Sequence, residues 1–353
     1  MNKSDGERIG KALTNLKRSW SKGTCLHPLA HADCNGKPID SHSVQKSRAL
    51  ESIAVNGHVL TFRTDQAALL KEGLSRGSSG HPLLDFMTSL NSADAFTPER
   101  IGMANASVFP GFCGKHDHDT YAPIEERELV FNDEQCFLLT YRPACMELWA
   151  QRSKAKTIQT ALDQEGDMDF LTNFLEAGGM ALTENLSRKA ELDLILQSGG
   201  FTSIHALVFK FDANPGVATA GVFAPEVDFA DNQLQDLNDE NTPLQYVSYS
   251  IIPSEAGGHA IIGWHDLNPI ADQFTSSLLS LDPAERPDAL LRVAFESLEN
   301  TYFSSLWWDG LNAEQKEQVG ARAVLGAITP NPISYKPDGI HLTTVGSSII
   351  RHH

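Results

Sequence analysis

Four residues of this chain have types and spacing that can do chemistry: Cys25, Cys34, Cys113 and His116. The first two form a C-x8-C next to the turn-forming pair Asn35-Gly36. The last two form a C-x2-H inside Phe112-Cys113-Gly114-Lys115-His116-Asp117. Zinc takes thiolate and imidazole ligands in fours, and a closed Cys3His set contributes folding free energy directly. The two pairs therefore read as halves of one structural zinc site. The plainer alternative is that these thiols fill apolar space, where free cysteines commonly sit. That alternative suits Cys136 and Cys145, which lie in an apolar stretch with no turn former beside either thiol.

Other histidines and carboxylates lie close to these pairs. His42 follows Cys34 by eight residues in Ile39-Asp40-Ser41-His42-Ser43-Val44-Gln45, where a strand is expected to turn into a helix. It reads as a hydrogen-bonded structural histidine, an alternative ligand or a general base. His27 and His31 are near enough to replace a cysteine, and both read as exposed loop residues. His118 and Asp119 read either as partners that orient His116 or as ligands of a second metal. Gly77-Ser78-Ser79-Gly80 lacks the Gly-Lys-Ser/Thr ending of a phosphate loop. The Gly-x-Ser-x-Gly pattern occurs once, as Gly73-Leu74-Ser75-Arg76-Gly77, inside the irregular stretch 71–98 and not between a strand and a helix, and no dinucleotide fingerprint occurs, so serine hydrolase and dehydrogenase readings have no support.

The elements that must position these residues follow from periodicity. Residues 1–22 read as a basic amphipathic helix or arm, with Ile9, Leu13, Leu16 and Trp20 at helical spacing. Residues 23–130 read as a zinc module with an insertion. Within it, residues 44–54 suggest a helix ended by Gly57, 58–64 a strand, and 71–98 an irregular insertion. Residues 131–200 read as a helical segment, an antiparallel pair packed on something apolar. Residues 201–330 carry four strand-like runs, at 204–211, 217–223, 246–252 and 259–264, read as an antiparallel meander. Helices are expected at 284–300 and 312–326, with Trp307-Trp308 stapling them to the core. Pro330, Pro332 and Pro337 precede what reads as a loose tail at 331–353, and its terminal His352-His353 is given no function. The fold class is α+β.

Composition bounds the rest. A chain of 353 residues with 41% hydrophobic and 21% charged content is ordinary for a globular protein. Five cysteines, an odd number, and a polar first segment point to a cytoplasmic protein with metal-bound rather than disulfide-bonded thiols. No long apolar run suggests a membrane span. The net charge of −17 is unevenly placed: residues 1–130 hold 15 basic and 15 acidic side chains, leaving 13 basic and 30 acidic beyond them. An acidic surface repels phosphate backbones, so any DNA contact falls to the N-terminal module, and the C-terminal region reads as a surface for a protein partner.

The stretch from about residue 24 to 125 resembles the HNH nucleases of the treble-clef zinc-finger superfamily. The likeness rests on the ligand pairs, on Ser41-His42-Ser43 after the first pair, and on Phe-Cys-Gly-Lys-His-Asp-His-Asp at 112–119. It implies structural Zn²⁺ on Cys25, Cys34, Cys113 and His116, His42 as the base that activates water, and Asp117 or His118 holding a catalytic Mg²⁺ or Mn²⁺. It also implies a metal-dependent endonuclease, with defence against foreign DNA as the expected role. Three features depart from the pattern. The two pairs are separated by 78 residues, His116 stands where a cysteine is usual, and the middle Asn has only Asn105 as a candidate. A zinc-stabilised binding or scaffold protein without catalysis fits the same residues, and a metal centre that senses redox state is a third class. Phrases such as Ser-His-Ser-Val-Gln and Glu-Asn-Thr-Tyr-Phe-Ser-Ser-Leu-Trp-Trp are also similar to those of a set of uncharacterised bacterial proteins, a likeness that implies no activity.

Overall fold

The structure is a computed structural model and describes residues 24–62, 97–165, 169–237, 239, 241–325 and 334–353. The arm expected at 1–22 lies outside the described residues, as does most of the insertion expected at 71–98.

Among the described residues the largest element is an eight-stranded antiparallel sheet with the order β10 (Ser347–His352), β5 (Ile204–Phe211), β8 (Gly257–His265), β7 (Val247–Ser254), β6 (Val217–Phe223), β9 (Thr301–Phe303), β2 (His58–Thr61) and β3 (Glu99–Gly102). Its central strands are β5 (Ile204–Phe211), β6 (Val217–Phe223), β7 (Val247–Ser254) and β8 (Gly257–His265). They read as near-continuous apolar runs because both faces of the sheet are covered, which leaves no solvent side to supply polar alternation. Along β5, Ile204, Ala206 and Val208 enter one core, and Leu207, Phe209 and Phe211 enter the other. This two-residue alternation sorts one strand between two layers.

The first layer contains the N-terminal module and two long helices, α2 (Asp133–Glu165) and α3 (Asp169–Ser198). Tyr141 near the start of α2 bonds Asp193 near the end of α3, with Oη donating to Oδ1 at 2.7 Å, so the helices run antiparallel, as expected. The second layer contains α4 (Pro269–Ser280), α5 (Arg286–Ser297) and α6 (Ala313–Leu325). Trp307 stacks on Phe295 at 5.5 Å, and Trp308 packs against Phe62 and Phe303, which is the stapling role read from the sequence.

Two expectations are corrected. The four central strands do not follow one another as a simple meander, because β5 pairs with β8 and not with β6. The β5–β6 connection instead crosses the β7–β8 turn, and glycines make room for it. A Cβ on Gly257 would sit 2.7 Å from the Phe211 carbonyl oxygen, and one on Gly258 would sit 3.3 Å from Pro215 Cδ. The tail is not loose. Its backbone is held by Asp288, whose Oδ1 accepts from Leu342 N at 2.7 Å and Thr343 N at 2.9 Å. It then forms β10 (Ser347–His352) on the edge of β5, and His353 N donates to Ala206 O.

The strands β2 (His58–Thr61) and β3 (Glu99–Gly102) extend the large sheet past β9 (Thr301–Phe303). A separate antiparallel pair, β1 (Pro38–His42) with β4 (Val108–Cys113), leads directly into helix α1 (Gly114–Glu125). That pair and α1 carry the candidate site.

Candidate metal centre

The pairing of β1 with β4 closes the long sequence gap. Its register sets Pro38 opposite Cys113, only four residues after Cys34. Leu26 N donates to Gly111 O at 2.8 Å, which brings Cys25 to the same end of β4. Cys113 caps α1 with extended backbone, φ −75° and ψ 159°. His116 follows three residues later, so the two side chains share the face of the first helical turn. Lys115 fastens the two halves from outside: its N–H donates to Asn35 Oδ1 at 3.2 Å, and its ammonium pairs with Asp33.

The three sulfurs surround one imidazole nitrogen. His116 Nδ1 lies 3.3 Å from Cys25 Sγ, 3.4 Å from Cys113 Sγ and 3.7 Å from Cys34 Sγ. All four ligand atoms fall within 4.8 Å of one another. One ring nitrogen has a single proton or a single lone pair, so it cannot hydrogen-bond three sulfurs at once. Tetrahedral zinc with bonds of about 2.3 Å to sulfur and about 2.0–2.1 Å to nitrogen places S and N about 3.5 Å apart, which is the spacing found. The residues therefore fit a zinc ion. Among the described residues this is the one group of three or more His, Cys, Asp or Glu side chains with ligand atoms so close.

Cys25, Cys113 and His116 are buried, whereas Cys34 is exposed. Partial loss of water, and then the neighbouring Cys113 and Cys25, push the Cys34 thiol up to about 12. Burial works against ionisation of Cys113, yet backbone N–H groups of His116 and Asn35 and the two other thiols outweigh it and bring this thiol below its usual value. The protein surroundings thus favour ionisation of Cys113 relative to Cys34. A cation would stabilise the thiolates together. His27, expected in an exposed loop, instead stacks on His116 at 4.0 Å and 14°. Burial, followed by the nearby His116, lowers it to about 4. His31 is exposed, as expected.

Beside the Cys3His cluster, β1 and α1 form one wall of a cleft of about 370 Å³. His42, Asp117, Glu125, Gln45 and Lys46 line it. Ser41 Oγ donates to Asp117 Oδ1 at 2.7 Å, which ties strand to helix across the cleft. Burial raises Asp117 above the usual carboxylate value, and the Ser41 bond works in the other direction. Burial and then Lys46 lower His42, and its Nε2 is buried with no partner. His118, grouped with Asp117 in the sequence reading, points away: its side chain is 64% exposed and lies 3.3 Å from Glu126. Asn105 is exposed on a single 3₁₀ turn.

Sequence reasoning missed Glu125, Gln45 and Arg142. Glu125 lies eight residues after Asp117, close to two helical turns, and that spacing was available as a signal. Arg142 had no such signal, because it comes from α2. Its guanidinium is buried over the Tyr121 ring at 3.9 Å and pairs with Glu125 Oε1 at 2.6 Å. Cys136 and Cys145 are buried away from the metal ligands, as expected, and burial pushes each up to about 11.

This chain matches no known family model, no curated protein and no solved structure. Among the described residues, no helix is long and apolar enough to cross a membrane.

Proposed function

We propose that residues 24–125 form a zinc-stabilised module of the treble-clef kind, in which Cys25, Cys34, Cys113 and His116 hold one structural zinc ion. The observation that carries this is the convergence of three sulfurs on one imidazole nitrogen from two distant parts of the chain. The order of parts supports it as well: a ligand pair, a β pair, and a second ligand pair at a helix start. When bound, zinc would neutralise the thiolates and cross-link the segments. Four protein ligands leave no open position for water or substrate, so the role is structural. Metal analysis of the purified chain tests this: one zinc per chain is expected, and its absence from a reduced, untreated preparation refutes the assignment.

A second reading is favoured by the cleft. His42 ends the first strand of the β pair and faces the helix that carries Asp117, and this placement supports an HNH-like phosphodiesterase. In that reading His42 takes a proton from water, and Asp117 helps hold a Mg²⁺ or Mn²⁺ ion that neutralises the phosphate. Asp40, Glu51, Asp117 and Glu125 make the cleft acidic, so DNA would enter only with such a cation present. The expected result is plasmid nicking with Mg²⁺ or Mn²⁺ that His42→Ala abolishes at unchanged zinc content. Inert wild-type protein across metals and substrates would leave the module as a binding scaffold.

A further inference from the structure

The four ligands are unequally protected. Cys113 and His116 are 0% and 3% exposed and Cys25 is 9% exposed, whereas Cys34 lies at the surface. A soluble oxidant can therefore reach one sulfur of the cluster ahead of the others. That sulfur also has two partners at hand, since the Cys25 and Cys113 sulfurs lie within 4.8 Å of it. As a zinc ligand Cys34 is held as a thiolate, and an exposed thiolate next to a resolving sulfur is the arrangement found in redox-sensitive cysteines.

We propose that the metal centre is a peroxide-responsive switch in which Cys34 is the sensing sulfur and Cys25 or Cys113 resolves it. The inference rests on the zinc assignment above. Hydrogen peroxide transfers one oxygen to the Cys34 thiolate, giving a sulfenic acid and hydroxide. The thiolate of Cys25 or Cys113 then attacks the Cys34 sulfur, forms the S–S bond and expels a second hydroxide. Two thiolates have lost two electrons in total, and peroxide has gained them. One thiolate and one imidazole remain as ligands, too few for a structural site, and zinc leaves.

The fold gives this release a consequence. Cys113 and His116 form the first turn of α1, and the next residue, Asp117, is bonded to Ser41 across the cleft. Loss of the ion loosens the turn that places Asp117 opposite His42. Reduction with added zinc restores it.

The test uses the full, reduced, zinc-loaded chain treated with hydrogen peroxide. Zinc release is followed with a chromogenic chelator, and sulfenic acid is trapped and mapped by mass spectrometry. One zinc should leave per chain, with the first trapped adduct on Cys34, followed by a disulfide from Cys34 to Cys25 or Cys113 that dithiothreitol and zinc reverse. Cys34→His, which keeps four ligands but removes the exposed sulfur, should slow release by about tenfold or more. Should that variant fail to hold zinc, the adduct map of the wild type decides. Retention of zinc while other thiols oxidise, or first adducts on Cys25, Cys113 or Cys136, overturns the switch and leaves the zinc assignment standing. A reduced chain that never contains zinc overturns both.

Discussion

Two polar clusters lie on opposite faces of the large sheet, and each ties together segments far apart in sequence. On one face, Cys25, Cys34, Cys113 and His116 join the N-terminal loop to β4 and α1. On the other, Arg322 pairs with Glu296 at 2.6 Å with both side chains buried, and Arg292 pairs with Asp338 and donates to Ile340 O at 2.9 Å. The second cluster brings its own counter-charges and is complete as protein. The first gathers three thiols and an imidazole within 4.8 Å of one another, and under the zinc assignment proposed above its stabilisation depends on an ion from outside. A buried cluster can thus be read by whether its charges close within the chain, and only one of these two calls for metal.

The largest effect should come from the open cluster. Chelation of zinc, or Cys113→Ser, is expected to remove the metal and lower the thermal midpoint by on the order of 10 °C or more, because binding free energy at such a site is folding free energy. An unchanged melt after complete zinc removal would break the comparison. Next comes the closed cluster: Arg322→Met strands the buried Glu296 charge and should cost about 3–5 kcal/mol in denaturant unfolding. Zinc content should not change, and a change would mean the two faces are coupled.

A smaller effect separates the two kinds of cysteine. Cys145→Ala should cost about 1–2 kcal/mol through lost packing, with one zinc still bound, unlike Cys113→Ser. The effect that is smallest at neutral pH, and grows only on acidification, concerns a histidine. His259, packed against Phe131 at 4.6 Å, is lowered from 6.5 to about 4 by burial and then by Lys210. A histidine held neutral in the fold contributes stability that is fully present above its unfolded value of 6.5 and is lost as pH falls towards about 4. His259→Gln should flatten the melting profile across that window, and a parallel profile for wild type and variant would remove His259 from the account.

Parts of this architecture were legible in the residues. The strand runs of the central sheet, the antiparallel helix pair and the stapling tryptophans follow from periodicity, because burial of a face imposes a repeat on the chain. The tail was misread because its anchor, Asp288, is a single carboxylate on a helix 54 residues before Leu342, and nothing local in the tail announces it. The β5–β8 pairing was equally hidden, since two glycines that permit a crossing look like any turn. Within the cleft, His42 and Asp117 could be proposed from a motif, whereas the pairing of Arg142 with the cleft residue Glu125 depends on α2 packing against α1.

What the sequence determined by itself is ligand chemistry: cysteine and histidine are the residues that hold zinc, and their short spacings within each pair are set by a few covalent bonds. What only the tertiary structure decided is that the two pairs meet. That depended on β1 pairing with β4 in the register that puts Pro38 beside Cys113, a choice made by packing across 78 intervening residues. Local spacing constrains what neighbours in sequence can do together, and only the fold brings distant residues to one point in space.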